Sequence, residues 1–316
     1  MLLVIWGTLL SFASLPAVER LSLGELLAAD GGATTLQQAL LRRRTPVVVA
    51  HQLPTDWPGF AAWRPKALRK AMSSQVVEGV KLSQGPDVVY YDKNRANDWR
   101  QSGHAPPDPG FVERDLSGAS FVDCIFGRGR KVAARDACDG KLAYHTEDIP
   151  FGMAADIDGV PLLLDGLDLR DDVVRSDPNA LPLTAQLWFA APGVTATPHY
   201  DVTHNCFVQL HGTKRFRLAP PTAARSMYLF PAAHPNARQS QATDPTTADS
   251  RFPLASSVEW IEAILKPGDL LYMPAYWFHW VDAKTASVSV NAWSSDINTK
   301  LAHDMTRAGL TELVSI

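Results

Sequence analysis

The chain has 316 residues, 46% of them hydrophobic and 20% charged, a globular composition that argues against disorder and suffices for one large domain or two modest ones. Thirty basic against thirty-three acidic side chains leave a net charge of -3, so no chain-wide basic field exists to hold a polyanion, and nucleic acid is not favoured as a partner. Cys124, Cys138 and Cys206 are odd in number and lack paired-ligand spacing, so neither a zinc site nor a full disulfide framework follows from them; at least one thiol stays free or pairs with another chain.

The first fifteen residues, MLLVIWGTLLSFASL, carry no charge and are too short for a stable membrane span. SFA at 11–13 offers the small residues of a signal-peptidase site, so residues 1–17 read as a signal segment, with a packed helix as the alternative because no Lys or Arg precedes the run. A cleaved signal implies the secretory pathway or endoplasmic reticulum lumen; a retained segment implies cytoplasm or nucleus. Residues 19–45 predict helix, with a second segment capped by Thr34 or Thr35 and closed by Arg42, Arg43 and Arg44 before Pro46. PVVVA at 46–50 predicts a strand, WPGFAAW with RPKALRKAM a helix, and VVEGVKL and DVVYYD strands again. Residues 95–180 are mixed, with SFVDCIF the most apolar run. From residue 183 to 296 the pattern turns to short strands in series: LTAQLWFA, NCFVQLHG, KRFRLAPP, DLLYMP, FHWVDA and ASVSVNAW, a barrel or sandwich by their Gly and Pro punctuation. QSQATDPTTADS at 239–250 predicts a long polar loop, and Asn298 to Val314 an amphipathic helix.

Within TPHYDVTHN, residues 197–205, His199 and Asp201 stand two apart, so on a strand they share a face while Tyr200 points the other way. They can grip one metal ion together, and the best third ligand is His279, in PGDLLYMPAYWFHWV, a strand launched by a turn and rich in aromatics that would wall the imidazole. Two histidines and one carboxylate with open positions mark non-haem iron(II) oxygenases; structural zinc favours four thiolate-rich ligands and catalytic zinc more histidine. His204, three past Asp201, falls on the opposite strand face and reads as a core-edge histidine.

CFVQLHGTKRFRLAPP forms two alternating strands joined at Gly212, and Lys214 opens the second. A lysine beside a buried metal is costly unless an anion neutralises it. The far carboxylate of 2-oxoglutarate meets that need, with Asn205 and a nearby hydroxyl adding hydrogen bonds.

At this point the chain resembles the Jumonji C oxygenases of the cupin superfamily, and within them the factor-inhibiting-HIF type of asparaginyl hydroxylase. PVVVAHQLPTDWPGFAAW at 46–63, DVVYYDKNRANDW at 87–99, KLAYHTED at 141–148, HPNARQSQATD at 234–244 and SVNAW at 289–293 carry the likeness. It implies a mainly β fold with flanking helices, a double-stranded β-helix (jelly-roll) barrel, over residues 18–297, followed by a C-terminal helix at 298–316. It further implies His199, Asp201 and His279 as iron(II) ligands and Lys214 as partner of the distal carboxylate of 2-oxoglutarate. Tyr144, Asn205 and Asn291 would hydrogen-bond that co-substrate, Trp293 would wall its pocket, and Thr197 would add a hydroxyl, with Thr195 also near. Arg238, Gln239 and Tyr91 (or Tyr90) match positions that hold a peptide. The implied activity is a dioxygenase using iron(II), 2-oxoglutarate and O2 to hydroxylate a side chain of a protein or peptide. The alternatives are a lysine demethylase, a tRNA or small-molecule hydroxylase, and a binding cupin without turnover. Thr146 and Thr203 stand where the asparaginyl hydroxylase has glutamines that grip its peptide, which leaves the target residue open. The short tail leaves dimer or monomer open.

Overall fold

A computed structural model describes residues 15–29, 31–53, 59–127, 138–149, 167–170, 176 and 183–295; the expectations for residues 1–14 and 298–316 lie outside them. Along the chain run β1 (Arg20–Leu21), α1 (Leu23–Ala29), α2 (Leu36–Arg42), β2 (Val47–Val49), α3 (Gly59–Ala62), α4 (Pro65–Ala71), β3 (Val76–Ser83), β4 (Asp87–Val88), α5 (Lys93–Gln101), β5 (Phe111–Ser117), α6 (Gly118–Phe126) and β6 (Leu142–Ile149). Then come β7 (Thr184–Ala190), β8 (Thr195–Tyr200), β9 (His204–His211), β10 (Lys214–Ala219), β11 (Ile261–Leu265), β12 (Leu270–Met273), β13 (Phe278–Ala283) and β14 (Ser287–Ser294).

The strands form two sheets, a nine-stranded one ordered β1-β2-β12-β9-β14-β7-β6-β3-β5 and a five-stranded one ordered β11-β10-β13-β8-β4. This is the mainly β, jelly-roll cupin architecture expected from the sequence. The sequence of β9 shows how the layers divide. Cys206, Val208 and Leu210 belong to a core that includes Leu26 and Leu40 of the helical layer. The alternate residues Asn205, Phe207 and Gln209 face the barrel interior, where Phe207 packs edge-to-face on Phe216 of β10, ring centroids 4.9 Å apart. Both faces of β9 are therefore buried, and one of them is polar. The β9–β10 turn needs Gly212: its φ is +74°, and a Cβ there would run into the Ala286 carbonyl.

Two local expectations change. The helix expected from residue 19 starts later, because Arg20 and Leu21 pair in parallel with Val48 and Val49. Thr35 then caps α2, its hydroxyl accepting from the Gln38 amide at 3.2 Å, and Arg42 occupies the last turn as the dipole favours. The strand expected over DVVYYD stops at Val88, and Asp92 instead caps α5, accepting from the amides of Asn94 and Arg95 at 2.9 and 3.1 Å. SFVDCIF lies in helix α6, which buries Phe121, Val122, Cys124 and Ile125. Cys124 joins Cys138 in a disulfide, and Cys206 is the free thiol.

Candidate metal centre and co-substrate pocket

Strand β8 delivers His199 and, one step past its end, Asp201; Tyr200 points the other way, edge-to-face on Phe278 with centroids 5.5 Å apart. Antiparallel pairing of β8 with β13 sets His279 directly opposite His199, and their rings lie 4.0 Å apart. His279 Nε2 is 3.6 Å from Asp201 Oδ2, and one ligand atom from each of the three residues lies within 4.8 Å of the others. Among the described residues this is the one cluster of three or more His, Cys, Asp or Glu side chains close enough to hold an ion.

The donor set suits a divalent metal. His199 Nδ1 lies 2.6 Å from the Thr197 carbonyl and His279 Nδ1 3.2 Å from the Trp277 carbonyl. A carbonyl only accepts, so each Nδ1 carries a proton and Nε2 is the nitrogen each ring turns toward a metal. Burial, reinforced by the facing His279, drives the His199 pKa down to about 3, so its ring is neutral at ordinary pH. Burial pushes the Asp201 carboxyl upward, but the two imidazoles, Arg238 and Trp293 outweigh it and hold the pKa below the usual range. The result is a neutral His199 nitrogen and a carboxylate, with His279 Nε2 beside them.

Behind the triad lies a cavity of about 70 Å³, with Tyr144, Trp188, Asn205, Lys214, Asn291 and Trp293 in its wall. The Lys214 ammonium sits 4.9 Å from the centre of the Phe207 ring and makes no hydrogen bond or ion pair among the described residues. Burial alone drives its pKa down to about 7. Polar groups run from the cavity wall to the triad. Trp188 Nε1 donates to Asn291 Oδ1 at 2.6 Å, Asn291 Nδ2 to Asn205 Oδ1 at 3.0 Å, and Asn205 Nδ2 to Asp201 Oδ2 at 3.1 Å; Trp293 Nε1 donates to the same Oδ2 at 2.8 Å. The sequence reading omitted Trp188. Its signal was the strand alternation of LTAQLWFA, which sets Gln186, Trp188 and Ala190 on one face.

Other expected residues land differently. Thr197 does not line the cavity: it is fully buried and its hydroxyl donates to Gln239 Oε1 at 3.3 Å, while Ala196 holds the cavity-facing position. The Gln239 backbone bridges to His199, and its side chain is buried against Thr197 rather than offered at the mouth. Arg238, at φ +70°, sets Nη1 3.8 Å from Asp201 Oδ1. It is Tyr90, half exposed, whose ring lies 5.9 Å from the Arg238 guanidinium. The aromatics of PAYWFHWV do not wall the imidazole. Phe278 and Trp280 pack with Trp260, Trp277 packs behind Phe207 and Met273 without lining the cavity, and Trp188, Trp293, Tyr144, Phe207 and Phe216 form the cavity's aromatic wall. His204 faces away from the triad and stacks on Tyr272, whose hydroxyl is 3.0 Å from its Nδ1.

Fold and site together define a cupin carrying two histidines and one carboxylate at the mouth of its barrel. The chain belongs to the family described as the cupin-like domain, whose pattern matches residues 33–300. It is 33% identical over 143 residues to Jumonji C domain-containing protein 5 of Drosophila melanogaster, covering 42% of this chain and 33% of that protein. It is 31% identical over 133 residues to lysine-specific demethylase JMJ30 of Arabidopsis thaliana (41% and 31%), and 34% identical over 103 residues to human tRNA wybutosine-synthesizing protein 5 (32% and 31%). The matched segments thus span about a third of each relative's length. Enzymes of the Jumonji C family use iron(II), 2-oxoglutarate and O2, and His199, Asp201 and His279 are able to hold the iron.

Proposed function

We propose that this chain is an iron(II)- and 2-oxoglutarate-dependent dioxygenase that hydroxylates a side chain of a protein or peptide. The observation that carries this reading is Lys214: a buried cation that makes no hydrogen bond or ion pair among the described residues, in the same cavity whose mouth is formed by His199, Asp201 and His279. A buried ammonium is costly unless an anion meets it, and a dicarboxylic acid chelating the metal at one end supplies that anion at the other. When bound, the iron with 2-oxoglutarate and O2 supplies the oxidising equivalents. The chain's own residues bind and orient. Lys214 neutralises the distal carboxylate, and Asn205, Asn291 and Tyr144 offer N–H and O–H donors along the cavity; burial raises the Tyr144 pKa, so its hydroxyl keeps its proton. Trp188, Trp293 and Phe207 exclude water. Arg238 and Tyr90 at the mouth hold the peptide.

The test is formation of succinate from 2-oxoglutarate by the purified chain with iron(II), lost in His199→Ala. Absence of succinate from the unaltered chain, with and without a peptide library, overturns the reading in favour of a binding cupin. A second reading, lysine demethylation, is favoured by the name of the Arabidopsis relative. Mass spectrometry of reacted peptides separates the two: gain of one oxygen supports hydroxylation, loss of a methyl group from lysine demethylation. We further propose that the chain works in an oxidising compartment of the secretory pathway, supported by the buried Cys124–Cys138 disulfide, a bond rarely kept in the cytosol. Alkylation of the native protein before reduction tests this: labelling of Cys124 and Cys138 overturns it.

A further inference from the structure

We infer that Trp188 is a positioning residue for the metal-binding carboxylate: its indole N–H starts a one-way run of hydrogen bonds, through Asn291 and Asn205, that ends on Asp201. This rests on the proposal that His199, Asp201 and His279 form a metal centre.

The direction of the run is fixed by chemistry at both ends. An indole N–H can only donate, so Asn291 turns Oδ1 toward Trp188, at 2.6 Å. Its Nδ2 then faces Asn205 Oδ1, at 3.0 Å, and Asn205 is left to donate from Nδ2 to Asp201 Oδ2, at 3.1 Å. A carboxylate can only accept. Turning either amide over would set oxygen against oxygen and nitrogen against nitrogen. Asn291 is 0% and Asn205 4% exposed, so a flipped amide would strand buried polar groups.

The consequence falls on Asp201. Asn205 and Trp293 both donate to Oδ2, which fixes the rotation of the carboxylate, with Oδ2 3.6 Å from His279 Nε2 and Oδ1 3.8 Å from Arg238 Nη1. Each asparagine also keeps a second Nδ2 hydrogen, and both residues line the cavity, so the same indole sets two donors toward an anionic co-substrate. Trp188 itself is braced between Tyr144 and Trp293, at centroid distances of 6.0 and 5.8 Å. A phenylalanine there keeps a ring in that slot and removes only the donor.

The test is titration of the full chain with Mn(II), in the absence of co-substrate, following free Mn(II) by electron paramagnetic resonance. Trp188→Phe is expected to bind about tenfold more weakly than the unaltered chain, the lower end of what outer partners of metal ligands contribute. Should that variant fail to fold, Asn291→Leu, close in size, breaks the run at its next link and is expected to show the same loss. A purely structural Trp188 would lower the melting temperature and leave the Mn(II) affinity of the folded protein unchanged. That outcome overturns the inference and spares the metal-centre reading; failure of the unaltered chain to bind Mn(II) overturns both.

Discussion

Strand β10 carries Lys214 on one face of the five-stranded sheet and Arg215 and Arg217 on the other, and the two faces treat a buried cation differently. Outside, Arg215 Nε and Arg217 Nη2 share Asp282 Oδ2 at 2.7 and 2.8 Å, Thr195 donates to Oδ1 of the same carboxylate at 3.1 Å, and the Arg217 guanidinium lies 3.0 Å above the Trp280 ring. Burial lowers the Arg217 pKa to about 10, against the opposing pull of Asp282. Inside, Lys214 has a cavity and aromatic rings but, among the described residues, no carboxylate partner, and burial takes its pKa to about 7. A paired buried cation belongs to the fold. An unpaired one at the end of a cavity calls for an anion from outside the chain.

The sharpest division between the faces is expected from His199→Ala, which should abolish succinate formation while urea unfolding stays cooperative; retained turnover would break the proposed chemistry. Next in size is Asp282→Asn. It leaves Arg217 buried without its carboxylate and should cost about 3 kcal/mol of stability by urea unfolding, the scale of breaking a buried ion pair, with 2-oxoglutarate affinity unchanged. Lys214→Ala should do the reverse, weakening 2-oxoglutarate by about 1.5–3 kcal/mol in calorimetry, the worth of a hydrogen bond to a charged group. Equal affinity would remove Lys214 from the site.

A pH series sharpens the same contrast. The Lys214 pKa stands at about 7 in the folded chain against an ordinary 10.5, so between these values the unfolded chain holds a proton that the folded chain has released. Below about 7 the ammonium is charged in both states and its burial cost is fully present. As pH rises from 7 toward 10.5 the cost is relieved, and the ligand-free protein gains stability relative to Lys214→Met by at most about 1.4 kcal/mol per pH unit. Binding of the dicarboxylate requires the ammonium and moves the other way: affinity falls as pH rises above 7. A flat profile for both would contradict the lowered pKa. The smallest effect belongs to Thr197→Val, which removes only the bond to Gln239 and should leave 2-oxoglutarate affinity unchanged; a large loss would return that hydroxyl to the cavity.

Much of the barrel was legible because strand alternation reports which face is buried. NCFVQLHG and ASVSVNAW gave their strands, and the two-residue spacing of His199 and Asp201 gave a shared face. Short-range chemistry was harder to read. DVVYYD has strand composition, yet Asp92 captures two amides and starts α5. SFVDCIF is apolar enough for either element, and Ser117 decides for helix by accepting from the Ser120 amide. Thr197 was misplaced because β8 ladders with β13 through a register shift between His279 and Val281, which no spacing rule on β8 alone reveals.

The sequence by itself determined the identities and local phase of the donors: His199 with Asp201 on one strand face, Lys214 at the start of a hairpin strand whose turn only Gly212 satisfies. Only the tertiary structure decided that β13 brings His279 opposite His199, that Trp188, Asn291 and Asn205 line up toward Asp201, and that Tyr90 rather than Tyr91 meets Arg238. The physical reason is that phase along a strand depends on bonds one or two residues long, whereas register between strands depends on how two whole sheets close over a shared core.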